Sequence, residues 1–134
     1  MSKHHLLVCG GRNFDDVAFL FRTLDDLHRQ HQFREIMQGG ARGADALAKQ
    51  WAKTHPDIKR WEFKVDWKRY GPAAGPIRNQ RMLDWGPDLV VAFAGGKGTA
   101  DMVRRARCRR RGYRTMTLHS EKGASMRRAR LATR

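Results

Sequence analysis

A chain of 134 residues holds one domain with a real core and is too short for two ordinary ones; 40% hydrophobic content suits a globule rather than a disordered chain. No apolar run approaches the roughly 20 residues of a membrane span, and the start, MSKHHLLVCGG, reads as a first strand rather than a signal peptide. The net charge of +15 is uneven: residues 104–134 hold twelve Lys/Arg against Glu121 alone, while the first 103 residues hold sixteen against twelve acidic side chains.

In chain order, Leu6–Cys9 is a short continuous apolar run, typical of a buried parallel strand, and Gly10-Gly11 ends it. A helix is expected from Asp15, with Val17, Leu20, Phe21, Leu24 and Leu27 on one apolar face and Asp15 and Asp16 at its positive end. Residues 35–38, EIMQ, read as a second strand. After GGARGAD, a second helix carries Ala44, Leu47, Ala48 and Trp51 on one face. Residues 61–65, WEFKV, alternate as a third strand, and 66–74 read as a loop. Gly75-Pro76 opens a third helix, with Pro76 at its first position, running to Trp85. Residues 88–93, DLVVAF, are a fourth buried strand, and a fourth helix follows over about 99–111. Gly112 stops it, and 113–118, YRTMTL, make a fifth strand. The remainder lacks an apolar stripe and reads as frayed helix or disorder. The alternation implies a Rossmann-like three-layer α/β sandwich with a mostly parallel five-stranded sheet over residues 1–118, then a basic tail, 119–134.

Three glycine loops follow strands one, two and four: CGGRNF, QGGARGAD and AGGKGTAD. Loops after parallel strands gather on one edge of the sheet, where ligands bind. Glycine lets backbone N–H groups come close to a phosphate, and a helix starting there adds unpaired N–H groups. The candidate ligand-binding residues are therefore Gly10, Gly11 and Arg12; Gly39, Gly40, Arg42, Gly43 and Asp45; and Gly95, Gly96, Lys97, Gly98 and Thr99. Arg78 and Asn79, on the first turn of the third helix, and Asp66, after the third strand, complete the set. The competing explanation is that the glycines only make tight turns. No loop has P-loop spacing or the third glycine of GxGxxG, which disfavours a P-loop ATPase and a dinucleotide enzyme.

The cysteines, Cys9 and Cys108, form no CxxC pair, and Cys9 reads as a buried thiol. The six histidines have no zinc spacing, so no metal is expected; no cofactor is expected either. Of the four tryptophans, Trp67 is the exception worth testing as a base-stacking platform; Trp51, Trp61 and Trp85 read as core or rim. A cytoplasmic setting is expected from the cysteine usage. The tail attracts polyanions, nucleic acid before anionic membrane.

VCGGRNF, QGGARGADALAKQWA, DWKRYGPAAGPIRNQRML and VVAFAGGKGTADMVRRA together resemble the SLOG superfamily of Rossmann-like domains, over about residues 5–118. The likeness is greatest to its small stand-alone members of YspA/cpYpsA-related type, found in bacterial and phage genomes. The LONELY GUY phosphoribohydrolases carry a similar P-G-G-x-G-T-x-x-E loop. Here Ala94 replaces the proline, Met102 stands at the glutamate position with Asp101 one residue early, and Arg78 is similar in place to their arginine. The DNA-processing protein A family has an S-G-x-A-R-G-I-D motif similar to residues 39–45. The first reading is a nucleotide or nucleotide-derivative binder, a sensor or carrier. The second is a nucleoside-monophosphate N-glycosidase with Arg78 and Asp101 as catalytic residues. The third is single-stranded nucleic-acid binding by the same edge and the tail. The helical faces and the resemblance imply a homodimer or larger assembly.

Overall fold

The structure, a computed structural model, describes residues 4–108, 114–119 and 130–132. Five strands, β1 (His5–Cys9), β2 (Glu35–Gln38), β3 (Lys59–Glu62), β4 (Leu89–Phe93) and β5 (Arg114–Leu118), pair in parallel. A short β6 (Arg130–Ala132) lies antiparallel to β5, and the order is β3-β2-β1-β4-β5-β6. The chain thus winds outward from β1 to β3 and returns to the other side of β1 with β4. The switch point, where such folds bind ligands, lies between β1 and β4.

The central strands are buried on both faces, as continuous apolar runs require. Leu6 and Val8 of β1, with Leu89, Val91 and Phe93 of β4, pack under α1 (Val17–His31) and α2 (Ala44–Lys53). Leu7 and Cys9, with Val90 and Ala92, face α4 (Ala74–Asp84) and α5 (Lys97–Cys108), burying Met82, Leu83, Met102 and Ala106. The period of two along each strand therefore fills two separate cores.

Asp16 caps α1 by accepting from Phe19 N at 3.3 Å. Leu20, Leu24 and Leu27 bury the expected face, but Val17, in the opening turn, is exposed. The Trp51 indole N–H donates to Asp25 at 2.9 Å and ties α2 to α1.

The helices and strands differ from the sequence expectation in five places. β3 lies two to three residues early, because parallel pairing with β2 ends at Gln38 and Phe63 N makes its last bond to Gln38 O. The expected loop contains α3 (Trp67–Tyr70), capped by Asp66, and a 3-10 turn over Gly71–Ala73. α4 starts at Ala74, so Pro76 is its third residue; its missing N–H is still one of the four unpaired at a helix start. α5 starts two residues early, at Lys97, which places Gly98 inside its first turn. In the tail, β6 stands at residues 130–132 where frayed helix or disorder is expected, because the open edge of β5 offers unpaired backbone groups to any nearby strand. Gly112 and most of the tail lie outside the described residues.

Candidate functional site

The three glycine loops are joined by the backbone of one residue. Gly11 N donates to Ala94 O at 3.0 Å, and Gly11 O accepts from Ala44 N at 3.1 Å and Phe14 N at 3.2 Å. The strand ends of β1, β2 and β4 are thereby held together at the switch point. Several glycines serve this closeness. A Cβ on Gly10 would meet Ala44 Cβ at 2.5 Å, and one on Gly11 would meet Ala94 O at 2.8 Å. A Cβ on Gly95 would overlap Thr99 Oγ1 and come within 2.6 Å of Gly11 N, and one on Gly43 would overlap Gly11 O. Gly96 and Gly98 differ: a Cβ there would meet nothing within 4 Å. They border open space.

That space is a cleft of about 660 Å³, within the roughly 300–1,000 Å³ of small-ligand sites. Of the expected residues, Gly10, Gly11, Arg12, Gly39, Gly40, Asp45, Arg78, Asn79, Gly96, Lys97, Gly98 and Thr99 line it. Arg42, Gly43, Asp66, Gly95 and Asp101 do not. Arg42 points toward Asn13, Asp66 accepts from Arg69 N at 3.1 Å to cap α3, and Gly43 and Gly95 are packing positions. The sequence reading missed Lys64 and Val65, and did not count Cys9 or Asn13 among the site residues; all four line the cleft. Their only signal was position next to a strand end.

Arg78 and Asn79 clamp the edge. Arg78 Nη1 donates to Gly39 O at 2.8 Å and Phe63 O at 3.3 Å, and its Nε donates to Asn79 Oδ1 at 3.2 Å. Asn79, 4% exposed, donates from Nδ2 to Gly98 O at 3.1 Å and Asp101 Oδ2 at 3.0 Å. One dipeptide thus fixes the loop after β2, the segment after β3 and the start of α5. A Cβ on Gly39 would overlap the Arg78 guanidinium, so only glycine admits this arrangement. Gln38, buried at the end of β2, adds a brace the sequence reading did not find: it donates to Glu62 at 2.9 Å and accepts from Gly40 N at 2.6 Å.

The charge balance favours an anion. Arg12, Lys64, Arg78 and Lys97 line the cleft against one carboxylate, Asp45. At the start of α5, Ala100 N donates to Gly96 O at 3.0 Å, so the N–H groups of Lys97, Gly98 and Thr99 precede the first intrahelical bond. Asp45 is 5% exposed and accepts from Ala41 N at 3.2 Å. Burial pushes its carboxyl up to about 6, against the lowering effects of the Ala41 and Gly39 N–H groups and of Arg78. Burial lowers the Arg78 guanidinium, while Asp45 supports its charge. Burial, then Asp45, pushes the Cys9 thiol up and keeps it protonated.

Asp101 belongs to a different environment. It accepts from Arg105 Nε at 2.8 Å and pairs with Arg104 at 2.5 Å. Burial raises its carboxyl, but the bonds from Asn79 and Arg105 and the charges of Arg105 and Arg104 outweigh that and hold it low. Met102, at the glutamate position of the hydrolase motif, is 1% exposed and packs in the core under α5. Among the described residues no cluster of His, Cys, Asp and Glu suits a metal ion, and no helix is long and apolar enough to cross a membrane.

A parallel sheet with a cationic cleft at its switch point defines a Rossmann-like domain of the kind that takes nucleotide-related ligands. The family model of the YspA, cpYpsA-related SLOG family, YAcAr, matches residues 4–70, and the chain belongs to this family. It is 34% identical over 112 residues to the gene 61 protein of Mycobacterium phage D29, covering 75% of this chain and 86% of that protein. No solved structure matches the chain. Membership of the SLOG family indicates nucleotide-related binding at a general level.

Proposed function

We propose that the protein binds a nucleotide or nucleotide derivative in this cleft and acts as a sensor or carrier. The observation that carries the reading is the bare backbone at Gly96 and Gly98, which leaves the N–H groups at the start of α5 open to a cleft holding four cationic side chains. A phosphate set there would meet unpaired donors and the positive end of a helix. Arg78 supports the site from below, since two of its nitrogens already hold loop carbonyls and Asn79. Its main task is to place the loops, and the N-glycosidase role given to it with Asp101 has less support: Asp101 is bonded to Asn79, Arg104 and Arg105 and does not line the cleft. Binding is therefore the reading the geometry favours over bond cleavage.

Gly96→Asp sets a carboxylate in front of these donors without any steric conflict in the fold. The variant should keep its own melting temperature within a few degrees and lose the thermal shift that a cognate nucleoside monophosphate gives the wild-type chain. An undiminished shift in the variant sinks the phosphate site. Incubation of the wild-type chain with a panel of nucleoside monophosphates should release no free base; release would restore the hydrolase reading.

A further inference from the structure

Three of the four tryptophans have partners. Trp51 is buried and donates to Asp25 at 2.9 Å. Trp61 donates to Glu35 at 2.7 Å and lies under the Lys59 ammonium at 4.8 Å. Trp85 stacks on His5, ring centroids 5.1 Å apart. Trp67 differs. It is 52% exposed, lines the cleft, and among the described residues its ring has no aromatic or cationic neighbour and its indole N–H no acceptor.

The backbone beneath this bare ring is pinned on every side. Asp66 caps the start of α3 at 3.1 Å. Gly71, with φ of +56°, turns the chain at the end of α3, and its N–H donates to Trp67 O. Tyr70, on the same turn, accepts from Arg81 Nη2 of α4 at 2.9 Å. The tip of the indole reaches over the start of α4, where its Cη2 stands 3.9 Å from the place a Cβ on Gly75 would occupy. A large apolar ring on a pinned backbone at the mouth of a polar, cationic cleft is costly to leave in water, and a base that stacks on it has no backbone left to order.

We propose that Trp67 is the stacking platform for the ligand's aromatic base, so that the cleft selects a nucleotide with its base intact, and a purine before a pyrimidine. This rests on the nucleotide reading of the cleft. The phosphate would sit at the start of α5 and the base on the indole, both of which line the cleft together with Lys64 and Val65. A planar bicyclic base covers more of the indole than a single ring does, and base–aromatic stacking tolerates either purine.

The test is calorimetric titration of the full chain with adenosine monophosphate, guanosine monophosphate, cytidine monophosphate and ribose 5-phosphate. The wild type should bind the purine nucleotides tightest and ribose 5-phosphate weakest. Trp67→Ala should weaken purine nucleotide binding by about five- to a hundredfold, the range that loss of one stacked base implies, and leave ribose 5-phosphate unchanged. Trp67→Phe should recover most of the loss. Equal binding of ribose 5-phosphate and the nucleotides by the wild type would overturn the platform while keeping the phosphate site. An equal loss for ribose 5-phosphate in Trp67→Ala would make Trp67 structural and also overturn it. No binding of any of the four to the wild type would overturn the nucleotide reading and the platform with it.

Discussion

Gly43→Ala should unfold at a much lower urea concentration than the wild-type chain, with a loss of about 3 kcal/mol or more. Two costs combine. Gly43 has φ of +79° and ψ of −130°, a region that an L side chain rarely enters, worth roughly 1–3 kcal/mol. Its new Cβ would also overlap Gly11 O and stand 2.6 Å from the Arg12 carbonyl carbon, so the loop after β1 must move. That movement breaks the bond from Ala44 N to Gly11 O, one of those joining the strand ends. Native stability is only about 5–15 kcal/mol in all. Gly98→Ala should do the reverse. It sits in the first turn of α5 with open space around its Cα, and alanine should stabilise the helix by about 0.5–1 kcal/mol. Yet its methyl group projects into space a ligand needs, so Gly98→Ala should weaken nucleotide binding. Chemical denaturation of the pair decides whether these two glycines serve different purposes. Equal midpoints would mean that they do not.

That division was beyond the reach of the sequence. GGARGAD and AGGKGTAD look alike as glycine loops, and each promised a phosphate cradle. Only the approach of three strand ends shows that Gly10, Gly11, Gly43 and Gly95 are spent on backbone packing and that Gly96 and Gly98 face the cleft. The frame itself was legible, because continuous apolar runs such as Leu6–Cys9 and Leu89–Phe93 can only be buried parallel strands in a chain that alternates with amphipathic helices. β3 was misplaced because its side chains do not carry the information that limits it. It lies at the edge, three of its four residues are exposed, and its extent is set by the end of β2. Arg78 and Asn79 were visible as a polar pair at a helix start. Their bonds to Gly39, Phe63 and Gly98 join segments up to 39 residues apart, which no local pattern encodes.

Asp45→Asn is expected to be more stable than the wild type above pH 7 and, because a carboxylate accepts from a sugar hydroxyl more strongly than an amide does, poorer at binding a nucleotide despite the repulsion that the carboxylate adds against the phosphate; that combination marks a carboxylate kept for its ligand. The folded chain holds the Asp45 proton up to about pH 6, against an ordinary value of 3.8. Between these values the native state binds more protons than the unfolded state, so this group's contribution to stability falls as pH rises through the window and stays low above it. The full effect is about 2–3 kcal/mol. Asparagine resembles the protonated acid and can still accept from Ala41 N, so the variant escapes that penalty. It should gain roughly 1–2 kcal/mol at pH 7.5, with the difference closing toward pH 4. His28 and His31, lowered chiefly by burial, act with the opposite sign: the unfolded state takes up protons first, and stability drops as pH falls through 6.5. Both histidines are common to the two chains, so the difference between variant and wild type isolates Asp45. Urea unfolding at half-unit steps from pH 4 to 8 reads it directly, and a difference that stays flat across that range would show that Asp45 is ionised at no cost in the fold. Nucleotide titration at pH 7.5 supplies the other half. A variant both more stable and undiminished in binding would leave the buried charge beside Arg78 without a task in the cleft.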